Sequence, residues 1–203
     1  MYVVWFDYRD GDGDIYFNYS IDEGATWKAN DIRLDTGDTP GANKSEEPKV
    51  NCSGDNIYVV WTDDRNGMRD IYFNTASLPV LDIKANGLEG PITIIQGEPL
   101  LITVELEAGI QTGEDADWWV LMKTSDPKPN NWYYFDMPTR TWMLGRSTTR
   151  QGSLFDVSSK EVPKTSSLAP GTYTFYFAVD MDMNGSIDAA LAYYDMVKVT
   201  INP

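Results

Sequence analysis

The strongest constraint on this chain is an internal repeat near its amino end. Residues 2–18 read YVVWFDYRDGDGDIYFN and residues 58–74 read YVVWTDDRNGMRDIYFN. Each copy holds two runs of β-branched and aromatic residues around a turn that contains glycine, which predicts a β-hairpin. Such a repeat marks one supersecondary unit used twice. Because Arg9 and Arg65 occupy equivalent positions, we expect them to pair with Asp7 and Asp63.

A second pattern, S-x-D-x-G-x-T-W, lies between the two hairpins. It is formed by Ser20, Asp22, Gly24, Thr26 and Trp27. An aspartate can accept hydrogen bonds from backbone N–H groups in a turn, glycine can take a positive φ, and the tryptophan is expected to pack onto neighbouring strands. The pattern is the Asp-box. Together with the hairpins it resembles the blades of sialidase-like (BNR-repeat) β-propellers over about residues 1–77. The resemblance implies a structural role for the box, away from any catalytic face.

The propeller resemblance covers too little chain for a closed ring. Propellers typically have about four to eight blades of four strands each, whereas residues 1–78 supply about six strands, or one and a half blades. Since blades bury their faces against each other, a fragment of this size leaves apolar surface open. Two explanations follow: the chain is the carboxy-terminal portion of a longer propeller protein, or several copies complete each other's sheets.

Residues 79–203 have a different pattern. The predicted strands are VLDIKA, PITII, PLLITVELEA, DWWVLMK, WYYFDM, TWMLG, TYTFYFAVD and YYDMVKVTI. Many strands at short spacing, with no amphipathic helix, favour an antiparallel β-sandwich. The stretch LAPGTYTFYFAVD and the final strand resemble Ig-like modules of secreted bacterial proteins. The chain is therefore expected to be all-β, with a partial propeller over 1–78 and an Ig-like sandwich over 79–203.

The segment 180–188 reads DMDMNGSID and matches the first nine positions of an EF-hand-type calcium loop. Oxygen ligands at alternate positions, with glycine sixth, suit a hard cation. Position 12, where a bidentate glutamate is expected, is Leu191, so Asp195 is considered as a late ligand. The alternative is an acidic β-turn without metal. The candidate calcium ligands are Asp180, Asp182, Asn184, Ser186, Asp188 and Asp195.

Aromatic residues are dense in the predicted sandwich. Adjacent residues such as Trp118 and Trp119 point to opposite faces of a regular strand, so at least one of each pair lies outside the core or under a neighbour. Large aromatics either fill a sandwich core or form a surface for sugars or proteins. The candidate ligand or interface aromatics are Trp118, Trp119, Trp132, Tyr134 and Trp142.

Composition excludes several classes of function. The 203 residues include no His and one Cys, Cys52, which removes His-based catalysis, an internal disulfide and Cys-based metal clusters. With 16 basic and 31 acidic residues the net charge is −15, which argues against nucleic acid or an anionic membrane as a partner. No apolar run is long enough to span a bilayer, and the amino terminus does not read as a signal peptide. No catalytic residue is assigned, because a sialidase-like centre draws residues from many blades.

The expected protein is a non-catalytic, extracellular or cell-surface structural or adhesive protein, stabilised by calcium. It would assemble with other copies, or with a missing propeller portion, through unpaired blade edges. The alternatives are a carbohydrate-binding module and the carboxy-terminal piece of a secreted glycoside hydrolase. The extracellular location rests on family resemblance and acidic composition.

Overall fold

The structure, a computed structural model, describes residues 1–20, 22–28, 30–125, 131–163, 168–188 and 192–203. The chain divides into two compact units, Met1–Leu78 (unit 1) and Pro79–Pro203 (unit 2). The described residues form sixteen β-strands and one 3₁₀ turn at Gly109–Gln111. The prediction of an all-β chain is therefore confirmed.

Unit 1 contains two three-stranded antiparallel sheets. The first has the order β1-β2-β3 and the second β4-β5-β6. The two predicted hairpins are the strand pairs β1–β2 and β5–β6. The second hairpin runs in the same register as the first, with Asp7 opposite Asp14 and Asp63 opposite Asp70. The strands are Tyr2–Asp7 (β1), Asp14–Tyr19 (β2), Ile32–Arg33 (β3), Ser45–Ser53 (β4), Asn56–Asp63 (β5) and Asp70–Ser77 (β6).

The repeat extends to side-chain geometry. Nε1 of Trp5 and of Trp61 each donates at 3.3 Å to the aspartate two residues later, and each tryptophan stacks on the tyrosine opposite. The guanidinium carbon lies 4.2 Å from the ring centroid of Tyr16 in the first hairpin and 4.4 Å from that of Tyr72 in the second. Both arginines pair with the aspartates expected from the sequence, Arg9 with Asp7 and Arg65 with Asp63. The repeated polar residues thus stabilise the two hairpins in the same way.

The two copies differ in burial. Asp63 is buried, and it also accepts a hydrogen bond of 2.7 Å from Ser45 Oγ on β4. Burial opposes ionisation of Asp63, but the hydrogen bonds donated by Arg65, Ser45 and Trp61 outweigh it and hold the pKa well below its usual range. The Asp7–Arg9 pair is partly open to solvent instead.

Each sheet of unit 1 has a front and a back face, because side chains alternate along a strand. The front face of the first sheet carries Tyr2, Val4, Ile15 and Phe17, and that of the second carries the repeat equivalents Tyr58, Val60, Ile71 and Phe73. The back faces carry Val3, Trp5 and Tyr16 in the first sheet, and Val59, Trp61 and Tyr72 in the second.

The front face of the first sheet packs against the back face of the second. Strands β1 and β2 contact β4, and Asn74 on the second back face donates at 2.9 Å to the carbonyl oxygen of Leu34, just after β3. Tyr2 on the first front face has a raised pKa, first because it is buried and then because Cys52 and Asp55 of the second sheet lie near it. Unit 1 is thus a front-to-back stack of two sheets.

Unit 2 consists of two sheets around a common core. The larger has the order β12-β11-β10-β15-β16-β8, with β13 also paired to β10, and the smaller has the order β14-β9-β7. All described pairs are antiparallel except β16 with β8. The strands are Val80–Ala85 (β7), Ile92–Ile95 (β8), Ile102–Glu107 (β9), Asp115–Thr124 (β10), Trp132–Asp136 (β11), Thr141–Leu144 (β12), Arg150–Ser153 (β13), Val157–Val162 (β14), Gly171–Asp180 (β15) and Ala192–Asn202 (β16).

The core of unit 2 lies between these sheets. Ile83, Val104 and Leu106 of the smaller sheet join Trp118, Phe175 and other residues of the larger one in a single apolar cluster. Trp142 packs against the same cluster and forms edge contacts with Phe135 and Phe175. Trp118 therefore belongs to the core, so its interpretation as a ligand-binding aromatic is wrong, and half-buried Trp142 packs against the same core.

No helix in the described part of the chain has the length and apolarity needed to cross a membrane.

The buried ion pair of the second hairpin gives a prediction about stability. Asp63→Asn should lower the free energy of unfolding by about 3 kcal/mol, because it leaves Arg65 without its charged partner in a buried setting. Asp7→Asn is the matched control, with a much smaller loss expected because that pair is partly solvated. Urea denaturation followed by tryptophan fluorescence measures both losses.

The same comparison has a defined pH dependence. The folded-state pKa of Asp63 lies below the ordinary 3.8. The advantage of the wild type over Asp63→Asn should therefore be fully present above about pH 4 and disappear as the pH falls through the folded-state pKa. Equal losses for Asp7→Asn and Asp63→Asn at pH 7 would contradict the assignment.

Candidate functional site

The most unusual surface of unit 1 is the front face of its second sheet. Ile71 is 74% exposed and Phe73 is 58% exposed, whereas their repeat equivalents Ile15 and Phe17 are 0% and 1% exposed. Tyr58 and Val60 extend the same exposed apolar surface onto β5. Exposed clusters of large apolar side chains mark interaction sites in soluble proteins. We call this surface the open front face.

The opposite end of the stack is also open. On the back face of the first sheet Val3 is 39% exposed, while its repeat equivalent Val59 is 3% exposed. Trp5 on this face is half-buried, whereas Trp61 is buried. We call this surface the open back face. The stacking of the two sheets thus leaves the front face of the second sheet uncovered. On the back face of the first sheet it leaves the β1 side chains Val3 and Trp5 at least partly exposed, while Tyr16 of β2 is buried.

The sheets of unit 1 also have free edges. Within the described residues β1 pairs with β2 alone and β6 pairs with β5 alone, so each has one side without a strand partner. The six residues of β1 and the eight of β6 are long enough to take another strand. Both edges are therefore open to a further strand within the described part of unit 1.

The Asp-box residues form one hydrogen-bonded turn after β2. Asp22 Oδ1 accepts from the backbone N–H of Thr26 at 2.8 Å and from Ser20 Oγ at 2.7 Å, and Asp22 Oδ2 accepts from Thr26 Oγ1 at 2.6 Å. Ser20 Oγ in turn accepts from the backbone N–H of Gly24, whose φ is +95°. The bonds from Thr26, first of all, and from Ser20 lower the pKa of Asp22 to about 2. This geometry supports a structural turn.

The tryptophan of the Asp-box is only partly covered. Trp27 was expected to pack onto neighbouring strands, and it is 42% exposed. The turn therefore presents an aromatic ring on the surface of unit 1.

The predicted calcium loop begins at the end of β15, and its residues form hydrogen bonds with one another. The backbone N–H groups of Asp182 and Asp188 donate to the two carboxylate oxygens of Asp180, and Asn184 Oδ1 accepts from the backbone N–H of Ser186 at 2.7 Å. Asn184 also donates through Nδ2 to the Asp182 carboxylate. Asp180 is buried, and this burial raises its pKa. The structure thus brings Asp180, Asp182, Asn184, Ser186 and Asp188 into one turn.

The structure places Asp195 away from this turn. In the β15–β16 pairing Asp180 lies opposite Ala192, whereas Asp195 lies opposite Phe177, three positions along the strands. Its Oδ2 accepts a hydrogen bond of 2.9 Å from the backbone N–H of Ile83 on β7. Asp195 therefore joins the two sheets of unit 2, and its interpretation as a late calcium ligand is wrong. Leu191, at the twelfth loop position, lies outside the described residues.

A further carboxylate at the loop was missed in the sequence. Asp117 on β10 is directly opposite Asp180 on β15, and both side chains are fully buried. Asp117 Oδ2 accepts from the backbone N–H of Gly185 at 2.6 Å, and Oδ1 accepts from Gln151 Nε2 at 2.7 Å. The described residues place no Lys or Arg in an ion pair with either carboxylate. The available sequence signal was the position of Asp117 directly before the apolar run WWVLM.

The loop oxygens are suited to a hard cation by type, since all are carboxylate, amide, hydroxyl or carbonyl oxygens. Among the described residues, no three Asp, Glu, His or Cys side chains gather into a group that could hold a metal ion. The carboxylates of Asp117 and Asp180 instead accept hydrogen bonds from uncharged donors.

The outer face of the larger sheet of unit 2 carries a row of apolar side chains. Register pairing across strands β12, β11, β10, β15 and β16 places them side by side in the order Met143, Tyr134, Leu121, Tyr176 and Met196. Trp119 and Trp132 lie on the same face and contact this group. Trp119 is buried by its neighbours, while Trp132 and Tyr134 are half-buried. The five candidate aromatics thus divide between core and outer face.

Basic residues border this outer face. The Arg146 guanidinium carbon lies 4.2 Å from the Trp132 ring centroid, and Lys123 Nζ lies 5.2 Å from it. Lys198 projects from the same face, because Thr174 lies opposite both Lys123 and Lys198. In the part of the chain that the structure describes, none of these three cations makes an ion pair. The Trp132 end of the outer face therefore carries a local group of three cations on a protein whose net charge is −15.

Comparison of the chain with protein-family models, with curated proteins and with solved structures found no match.

Proposed function

We propose that this protein is a non-catalytic structural or adhesive protein that assembles through unit 1, either with other copies or with the remainder of a longer propeller. The observation that carries the proposal is the open front face: Ile71 and Phe73 are exposed where their repeat equivalents Ile15 and Phe17 are buried. Covering such side chains removes apolar surface from water, at about 25 cal/mol per Å². The free edges of β1 and β6 offer backbone hydrogen bonds to the same assembly.

Unit 1 supports assembly better than catalysis. Arg9 and Arg65 are paired within their own hairpins, and Arg33 lies in a cluster with Asp14, Asp35 and Asp38. The four arginines of residues 1–78 also include Arg69, which pairs with Glu46. Each of these cations therefore has a local partner that accounts for its position. We place the protein outside the cell or on its surface, on the strength of the propeller resemblance and the acidic composition.

The assembly proposal predicts an oligomer that depends on the open front face. The wild type should have a native mass well above 22.9 kDa by light scattering at micromolar concentrations, and Phe73→Asp should return it to the monomer mass. Leu88→Asp is the matched control, because Leu88 is also 58% exposed but belongs to unit 2. A wild type that stays monomeric as its concentration rises, or a Phe73→Asp oligomer of unchanged size, would contradict the proposal.

We also propose that calcium stabilises unit 2 at the 180–188 loop. Two fully buried carboxylates, Asp117 and Asp180, lie directly opposite each other on β10 and β15, and a cation would supply the positive charge that the described residues do not place beside them. The candidate holders are the oxygens of Asp182, Asn184 and Asp188 together with this pair. The ion would replace some of the hydrogen bonds that the carboxylates now accept.

Calcium titration tests the assignment of the loop. Isothermal calorimetry should show binding to the wild type and a loss of affinity of roughly tenfold or more in Asp182→Asn, because a charged oxygen ligand is removed. Asp195→Asn is the matched control and should bind as the wild type does, since Asp195 contacts Ile83 instead. Absence of binding to the wild type, or equal affinities in all three proteins, would overturn the proposal.

A second candidate function is carbohydrate binding on the outer face of unit 2. The specific observation is that Lys123 and Arg146, which make no ion pair within the described residues, lie over the ring of half-buried Trp132, on the face that also carries Tyr134. Aromatic rings can stack on the apolar faces of sugars, and the cations would favour saccharides that carry carboxylate or sulfate groups.

A glycan array that includes acidic and neutral saccharides tests this candidate. Binding should favour the acidic ones and be lost in Tyr134→Ala, with the fold retained by circular dichroism. Trp142→Ala is a poor probe, because it removes a core side chain and should destabilise unit 2 by about 3–5 kcal/mol. Lys160→Ala, which removes an exposed cation on β14 of the smaller sheet, is the control and should bind normally. Unchanged binding by Tyr134→Ala would contradict the candidate.

A further inference from the structure

The stacking inside unit 1 shows how a sheet of this repeat is covered. The front face of the first sheet lies against the back face of the second, which buries Ile15 and Phe17 on one side and Val59 and Trp61 on the other. The two sheets share the repeated hairpin, with differences at five positions of the sequence, and the same register. The internal contact is therefore a direct example of one repeat binding another.

This contact covers the front face of the first sheet and the back face of the second. The front face of the second sheet and the back face of the first are outside it. The open front face carries Tyr58, Val60, Ile71 and Phe73, which match the half-buried Tyr2 and Val4 and the buried Ile15 and Phe17 in the first sheet. The open back face carries Val3 and Trp5, which match the buried Val59 and Trp61 in the second sheet. The hairpin residues on each open face thus match those of its buried counterpart, apart from the positions where the two hairpins differ. The first sheet has no counterpart of β4, the strand of the second sheet that contacts β1 and β2.

We infer that the open front face of one copy binds the open back face of another copy of this chain, so that the copies join head to tail. The inference rests on the assembly proposed above and names its partner and polarity. Its support is the internal repeat, in which a front face is already seen to take a back face. A front-to-front dimer has no such precedent in the molecule.

Head-to-tail contact is heterologous: the two surfaces that meet are different, and each copy keeps one of each. Binding therefore does not end at two copies. It continues until the rotation between neighbours closes a ring, or it extends as a filament if the rotation does not close. A front-to-front contact would be isologous and would stop at the dimer.

Two single substitutions block the two faces separately. Phe73→Asp places a charge on the open front face and Val3→Asp places one on the open back face. Both side chains are already exposed at these positions, so the hairpins should still form. Each variant alone should be a monomer of 22.9 kDa, because each lacks one of the two surfaces that a contact needs.

A mixture of the two variants gives the decisive result. The intact front face of Val3→Asp should bind the intact back face of Phe73→Asp, and the complex should stop at one copy of each, with twice the monomer mass by light scattering. The double variant Val3→Asp/Phe73→Asp lacks both faces and should form no complex with either single variant. Circular dichroism of each variant checks that the strands have formed.

The outcomes separate this inference from the proposal on which it rests. A wild type that remains monomeric refutes assembly itself. A wild type that assembles, with single variants that are monomeric but do not associate when mixed, leaves assembly standing and overturns the head-to-tail contact. An assembled Val3→Asp would also overturn it, because the back face would then have no part in the contact.

Discussion

Asp63 is buried and ionised at the point where three parts of unit 1 meet. Its carboxylate accepts from Arg65 within its own hairpin turn, from Trp61 on β5 and from Ser45 on β4. Arg65 also reaches the carbonyl oxygen of Asp35, in the segment after β3. Because a buried charge is tolerated only with such partners, this one group fixes the turn, the sheet and the stacking together. The open faces at either end of the stack follow from that fixed arrangement.

Much of unit 1 could be predicted because the interactions concerned join residues that are close in the sequence. The offset between YVVW copies places both hairpins in register, and the pairing of Arg9 with Asp7 and of Arg65 with Asp63 follows from their equivalent positions. The Asp-box turn is equally local, since its hydrogen bonds join residues at most four apart. The exposure of Trp27 could not be predicted in this way, because it depends on whether another element covers the ring.

Several features of unit 2 could not be predicted from the pattern of apolar and polar residues. Strands β13 and β14 were not predicted, since RQGS and VSSKEV are too polar to show the alternation that marks a half-buried strand. Alternation did predict that Trp118 and Trp119 lie on opposite faces, but only the pairing of strands decides which face is the core. The place of Asp117 beside the 180–188 loop depends on the register of β10 with β15, a contact between residues 63 positions apart.

The paired carboxylates of Asp117 and Asp180 also have a consequence for folding. A slip of β15 against β10 by one residue would turn the whole side-chain pattern of β15 over, so that Asp180 would enter the apolar core and Phe177 would leave it. The loop after β15 donates a hydrogen bond to Asp117 through the backbone N–H of Gly185, in the register in which the two aspartates are directly opposed. The two aspartates thus disfavour other registers of β10 and β15. In a neighbouring register a carboxylate would be buried without hydrogen-bond donors.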